Sequence, residues 1–286
     1  MERELWEQLY LLVVRLDKGW SNAIYRDCEV LAVYLWAVVH DRPTSWACDH
    51  RNWRGPPPRL PSQSTMSRRL RRLRLQDLLS AVEAELGGDP QRWWVQRIDG
   101  KPLPVGTHTK DRSAKLGPAG HGFAKGYKLH AIWGGGPLPS VWQVEPMNAG
   151  EASVARELVN RLPGEGYIVG DKQYDSNALH EVARRRGFQL IAPQQREGKA
   201  LGHRRHSQSR LRSLELLRKP FGKALFHDRD QIERDYGGLT SFAAGLAPLP
   251  SWVRRPHRVR LWVQIKLLIN AIRILNKNLP PMLAPA

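Results

Sequence analysis

The sequence predicts an α/β protein in which a mixed β-sheet flanked by helices follows an all-helical unit. Three observations predict it. In the first part of the chain, up to Gly88, the apolar residues recur at helical spacing. Past Asp89-Pro90 short β-like runs take over, bounded by glycine and proline. Their order is three strands, helix, strand, helix, strand, then helices. A hairpin followed by β-α-β crossovers implies a mixed sheet with helices against it. The expected domains are 1–88 and 89–286.

Taken in order, Leu5, Leu9, Leu12 and Leu16 set the first helix. Val30–Val39 is long and apolar enough to be a buried helix, and it stops at Asp41-Arg-Pro43 because proline disfavours helical geometry before it. A proline-rich connector covers 55–64. In Ser62–Leu75, Ser62 or Ser64 can cap a helix. Met66, Leu70 and Leu73 form its apolar stripe, and Arg68, Arg69 and Arg72 fall away from it. That is what a helix-turn-helix recognition helix needs: one side to dock, one basic side for phosphates and base edges. An ordinary exposed basic helix would read the same way. A further helix, about Gln76 to Leu86, ends at Gly87-Gly88.

In the second part, Trp93–Gly100 and Gly126–Trp133 read as strands, and the GGGP turn at 134–137 leads to a return strand, Ser140–Glu145. Glu151–Leu162 is a helix striped by Ala152, Ala155, Leu158, Val159 and Leu162. The strand YIVGD, a helix over Ser176–Arg186 and the strand Phe188–Ala192 follow. A basic loop then spans Gln195–Lys219.

Bulk composition narrows the function classes. At 286 residues, 41% hydrophobic and 25% charged, the chain can bury a core and is not a disordered polyelectrolyte. Lys+Arg number 45 against 27 Asp+Glu, a net +18, which implies a polyanionic partner, most simply nucleic acid. From Tyr236 onward there is no acid at all. Two cysteines, Cys28 and Cys48, are too few for a disulfide framework, so reduced thiols are expected. The start, MERELWEQ, carries acids where a secretory leader needs bases. No apolar run approaches the ~20 residues that span a bilayer. The expectation is a soluble, cytoplasmic, nucleoid-associated protein without a membrane.

Two strands end in the same way, RID at Asp99 and IVGD at Asp171. Functional groups of α/β sheets gather at carboxyl ends of strands, so the two acids become neighbours if their strands pair. Facing carboxylates stay ionised together only around a cation, and hard oxygen ligands favour Mg²⁺ or Mn²⁺. Glu233 is a third acid, four residues after Arg229; on periodicity alone that pair is a surface ion pair worth ~0.3–0.5 kcal/mol. Asp175-Ser176 reads as the cap of the next helix, and Gly170 as a point of close packing beside Asp171. Asn148 and Glu151 read as residues that cap and charge a helix start rather than as metal ligands. Lys128 and His130 share one strand face from which a phosphate could be met, or which could simply be exposed. Lys172 follows the second acid directly. In the basic loop, Arg204 and Arg205 stand among residues suited to backbone DNA contact. His203 and His206 lack a third ligand and do not make a zinc site.

These stretches, RIDGKPLPV, KGYKLH, VGDKQYDSNAL and RDQIERDYGGL, together resemble the DDE transposases of bacterial insertion sequences, over about residues 90–280. The resemblance implies a ribonuclease H-like catalytic core. It implies that Asp99, Asp171 and Glu233 are the catalytic acids and hold two Mg²⁺ (or Mn²⁺) ions per site. One metal would activate a water against a phosphodiester at the transposon end and the other would stabilise the leaving 3′-oxygen; the freed 3′-hydroxyl would then attack target DNA. The implied partners are double-stranded DNA, as transposon end and as target, and a second copy of the chain on DNA. One group of these enzymes carries a Tyr, Arg, Glu, Lys signature around the third acid. Here those positions are Phe226, Arg229, Glu233 and Thr240, so Arg229 and Glu233 match and the outer two differ. Arg229 thereby joins the candidate DNA contacts. A transposase-derived DNA-binding protein without catalysis is the alternative reading.

Overall fold

The computed structural model of the chain describes residues 1–19, 23–106, 109–120, 122–196, 198–201, 205–246 and 248–278. The elements run α1 Glu2–Leu16, α2 Asp27–Val39, α3 Thr44–Ala47, α4 Gln63–Arg69, α5 Leu73–Gly87, β1 Val95–Pro104, β2 Lys115–Ala119, β3 Gly122–Trp133 and β4 Val141–Pro146. They continue with α6 Glu151–Arg161, β5 Gly166–Val169, α7 Asn177–Arg185, β6 Phe188–Ile191, α8 Gln208–Leu216, α9 Pro220–His227, α10 Asp230–Thr240 and α11 Pro256–Asn278. Two compact units result: Met1–Gly88 with Leu239–Ala286, and Asp89–Gly238.

The first unit is helical. Of the thirteen residues of α2 all but Glu29 are buried, and α11 is buried continuously from Leu261 to Ile272. Helices apolar on every side belong in the middle of a bundle. Accordingly α11 packs on α1, α2 and α5. Residues 239–286, expected with the sheet, group instead with the helical unit, whose core α11 closes. Its buried Lys266 is satisfied in the same unit, donating to Val38 O (3.0 Å), Ala244 O (2.9 Å) and Asp41 Oδ1 (2.7 Å). The basic segment 62–75 is not one helix. Ser62 caps α4, accepting from Thr65 N, but α4 ends at Arg69 and α5 begins at Leu73. The break puts Leu73 out of register with Met66, and it is exposed rather than part of a stripe.

The second unit holds a six-stranded sheet ordered β2-β3-β1-β5-β6, with β4 also on β3. β3 is long enough to pair with β2 over Gly122–Gly126 and with β4 over Tyr127–Ile132, both antiparallel. β1 pairs antiparallel with β3 and parallel with β5, and β5 pairs parallel with β6. The sheet is therefore mixed, as the hairpin-then-crossover order predicts. β2 is an element the sequence reading missed. Helices α6 and α7 cover one face, where Ile98, Ile132, Leu158, Ile168, Leu179 and Leu190 share a core. Among the described residues no helix is long and apolar enough to cross a membrane.

Candidate active site

The register of β1 on β5 aligns Asp99 and Asp171. The last paired rung joins Arg97 to Val169, and each aspartate stands two residues beyond it. Close approach is possible because residue 170 is glycine: a Cβ there would lie 2.8 Å from both Ile98 Cγ2 and Tyr174 Cδ2. Asp99 Oδ1 accepts from Gly100 N at 2.7 Å. Asp171 Oδ1 accepts from Gln173 N at 2.8 Å, capping the 3-10 turn Lys172–Tyr174.

Burial raises both carboxyls above their ordinary range. Asp99 is pushed up to about 6, chiefly by desolvation, with the Gly100 N–H opposing it and the charges of Asp171 and Glu151 adding to it. Asp171 is raised by the same desolvation and by Glu151, against the Gln173 N–H, Arg229 and Lys172. Arg229 likewise pulls Asp99 down. The buried Tyr174 hydroxyl faces these acids without a hydrogen-bond partner.

Glu151 is thus a third acid at the pair, where sequence reasoning favours the helix start over metal binding. It opens α6, which packs on the 3-10 turn that follows Asp171. Its Oε1 accepts from Lys128 Nζ at 2.7 Å, and the Lys128 side chain is only 6% exposed. Lys128 and His130 do share a strand face, but it is the inner one: register sets them on the side of Ile98 and Ile132, under α6. Neither side chain is exposed there, and Lys128 is already held by Glu151. Burial and then Lys128 push the His130 imidazole down to about 4.

Glu233 arrives on α10. Ile232, Tyr236 and Leu239 are the buried stripe of that helix, and Glu233 projects away from it, 66% exposed. Its Oε1 accepts from Arg229 Nη2 at 3.1 Å. α10 is fixed against β1 at two points. The Tyr236 hydroxyl donates to Asp99 O at 2.9 Å, and Arg97 binds Asp228, which precedes the helix, at 2.6 Å. Arg229 therefore stands between Glu233 on one side and the field of the two aspartates on the other.

The half-buried aspartate pair, with an orphaned hydroxyl beside it, fits a hard divalent cation as a two-carboxylate donor set. Among the described residues no three His, Cys, Asp or Glu side chains lie close enough together to hold one ion. The basic candidates separate by what they already bind. Arg68, Arg72, Lys172 and Arg205 are exposed. Arg69 is nearly buried and held by Asp27 at 2.6 Å, and Lys128 is held by Glu151. Arg204 and His203 lie outside the described residues. Asp175 is structural: its carboxylate takes two 2.7 Å bonds from Arg210 and one from Gln195 N, while Ser176 caps α7. The later part of the basic loop is helix, α8, and α9 follows it directly.

An α/β unit that sets two half-buried aspartates on neighbouring parallel strands, Asp99 within β1 and Asp171 just past β5, in a strongly basic chain, makes a site suited to a divalent cation beside a phosphodiester. Residues 94–268 match the family model described as transposase DDE domain. The chain belongs to that family. No curated protein and no solved structure matches it.

Proposed function

We propose that the chain is an active DNA transposase that cuts at its element's ends and joins them to target DNA. The observation that carries this reading is the parallel register that sets Asp99 beside Asp171 inside the transposase DDE match. The sheet unit then serves as a ribonuclease H-like catalytic domain and the helical unit as a helix-turn-helix-like DNA-binding domain. Asp99, Asp171 and Glu233 would hold the divalent ions, Mg²⁺ or Mn²⁺, two per site. Bound there, such ions activate a water nucleophile and stabilise the leaving oxygen. The protein's own work is positional. The β1–β5 register sets the two aspartates, Gly170 lets them approach, and Tyr236 ties α10 to the Asp99 backbone. Arg229 offsets the charge of the pair and would meet the scissile phosphate. Arg68, Arg72, Lys172 and Arg205 supply exposed charge for the DNA backbone. Two ends must be held together, so a dimer forms on DNA, at the nucleoid.

A second reading, a DNA-binding protein derived from a transposase and without catalysis, has one observation in its favour. Arg229 and its partner Glu233 occupy each other, and three acids do not converge among the described residues. Purified protein incubated with its terminal repeats and Mg²⁺ decides between them. Nicks at the repeat ends and joined products are expected, and Asp99→Asn, Asp171→Asn and Glu233→Gln should each abolish them while end binding persists. Binding with no cleavage at any metal concentration establishes the second reading.

A further inference from the structure

Three elements place Tyr174, and each carries an acid. Its backbone N–H donates to Asp171 O at 3.1 Å, closing the 3-10 turn that follows the second aspartate. Its ring meets β1 over Gly170: a Cβ at residue 170 would lie 2.8 Å from both Tyr174 Cδ2 and Ile98 Cγ2, and Ile98 precedes Asp99. α6 packs on the same turn, and Val154 and Ala155, one helical turn past Glu151, share the core cluster of Ile98 and Tyr174. Tyr174 is 1% exposed, and its hydroxyl is bonded to no group among the described residues.

An unbonded hydroxyl is costly at this depth, because burial strips its water and nothing replaces it. A phenylalanine would fill the same space without that cost. The neighbourhood supplies acceptors. Asp99 Oδ1 takes Gly100 N, Asp171 Oδ1 takes Gln173 N, and Glu151 Oε1 takes Lys128 Nζ. The second oxygen of each carboxylate takes no hydrogen bond from a described residue. Burial, and then the charges of Glu151, Asp99, Tyr236 and Asp171, push the Tyr174 phenol well above its ordinary value. It therefore keeps its proton, and it can serve ionised carboxylates only as a donor.

Carboxylates that ligate a cation need donors behind them, which fix the direction of each oxygen. Lys128 does this for Glu151, whereas the two aspartates have one backbone N–H apiece. A cation shared by two carboxylates re-aims their remaining oxygens, and a donor already in place then gains a partner. We propose that Tyr174 is a positioning residue of the cation site: its hydroxyl donates to the carboxylate set when Asp99 and Asp171 hold a divalent ion, and stabilises nothing in the ion's absence. The proposal rests on the reading that those two aspartates bind the ion. It assigns the phenol no contact with DNA and no proton transfer.

Tyr174→Phe keeps the ring and removes the hydroxyl. Urea unfolding in EDTA, and Mn²⁺ binding read by electron paramagnetic resonance, test the proposal on the full chain without DNA. In EDTA the variant should unfold at the wild-type midpoint or above it, because no bond is lost. Its Mn²⁺ affinity should fall by about 10–100-fold, the usual effect of removing a group that supports a ligand. One fixed Mn²⁺ concentration should accordingly raise its urea midpoint less than it raises that of wild type. Tyr236→Phe is the reference in EDTA: it loses the bond to Asp99 O, so its midpoint should drop. A drop of that kind in Tyr174→Phe overturns the proposal, since the hydroxyl would then have a partner without the ion. Mn²⁺ affinity equal to that of wild type overturns it as well. Wild type that binds no Mn²⁺, or binds it equally after Asp99→Asn, sinks the cation reading itself and this proposal with it.

Discussion

The Tyr236 hydroxyl donates to the backbone carbonyl of Asp99 at 2.9 Å. Through that bond the helix bearing Arg229 and Glu233 is tied to the strand bearing the first acid, at the acid's own residue. Trp133 packs edge-on against the same tyrosine ring. Tyr236→Phe keeps the ring and removes the bond. It should cost ~1 kcal/mol in urea unfolding, the usual net worth of a hydrogen bond, and should slow end cleavage by more than that loss implies. An unchanged urea midpoint together with full cleavage would mean that the bond does not position α10.

Gly170→Ala tests how tightly the second acid is packed. The added Cβ would meet Ile98 Cγ2 and Tyr174 Cδ2 at 2.8 Å, and both belong to buried residues. Overpacking of this kind costs ~1–3 kcal/mol. Asp171 should shift with its turn, so cleavage should fall while end binding holds. A variant as stable and active as wild type would show that the strand end yields freely.

Part of this geometry was legible in the residues alone. IVGD announces itself because an apolar run that ends on an acid leaves a carboxylate at a strand's carboxyl end; RID does not, since β1 runs on to Pro104 and Asp99 lies within it, just past the reach of β5. Ser62 and Ser176 announce caps by type and place. What stayed hidden depends on distant partners. Glu151 looks like a helix-start charge until β3 brings Lys128 beneath it. β2 is masked because Gly117 and Pro118 read as a turn; the glycine is there since a Cβ would meet Met147 O at 2.3 Å. The break at 70–72 carries neither glycine nor proline, so local sequence gives no sign of it. α11 sits in the helical unit because of its all-round apolar surface, which periodicity alone cannot assign to one core or another.

Asp175→Asn addresses acid stability. Burial pushes the Asp175 carboxyl up, but the nearby His180 ring and the bonds from Arg210 and Gln195 N outweigh it and hold it well below the ordinary carboxylate range. A depressed folded value contributes stability that is complete above the unfolded value, near pH 4, and is lost as pH falls below it. Wild type should therefore lose stability steeply below pH 4. The variant should be less stable at pH 7 by ~3–5 kcal/mol, because Arg210 is left largely buried without its anion, and its acid limb should be shallower. Equal slopes below pH 4 would remove Asp175 from the linkage.

Glu151 and Lys128 carry the last prediction, which separates a structural pair from one that serves the acids. If the pair only stabilises α6, Glu151→Gln should destabilise the fold by stranding Lys128, and Lys128→Met with Glu151→Gln should restore both stability and cation binding. If Glu151 also contributes charge to the aspartate pair, as its field on Asp99 and Asp171 indicates, the double variant should regain stability alone. Mn²⁺ affinity, read by electron paramagnetic resonance without DNA, should then stay weaker by about 10–100-fold, the usual cost of losing a supporting group near a metal. Urea midpoints measured on the same samples give the stability arm. Recovery of both quantities in the double variant would confine Glu151 to packing. Recovery of stability without affinity would make it a working member of the acid set, positioned by an almost fully buried lysine.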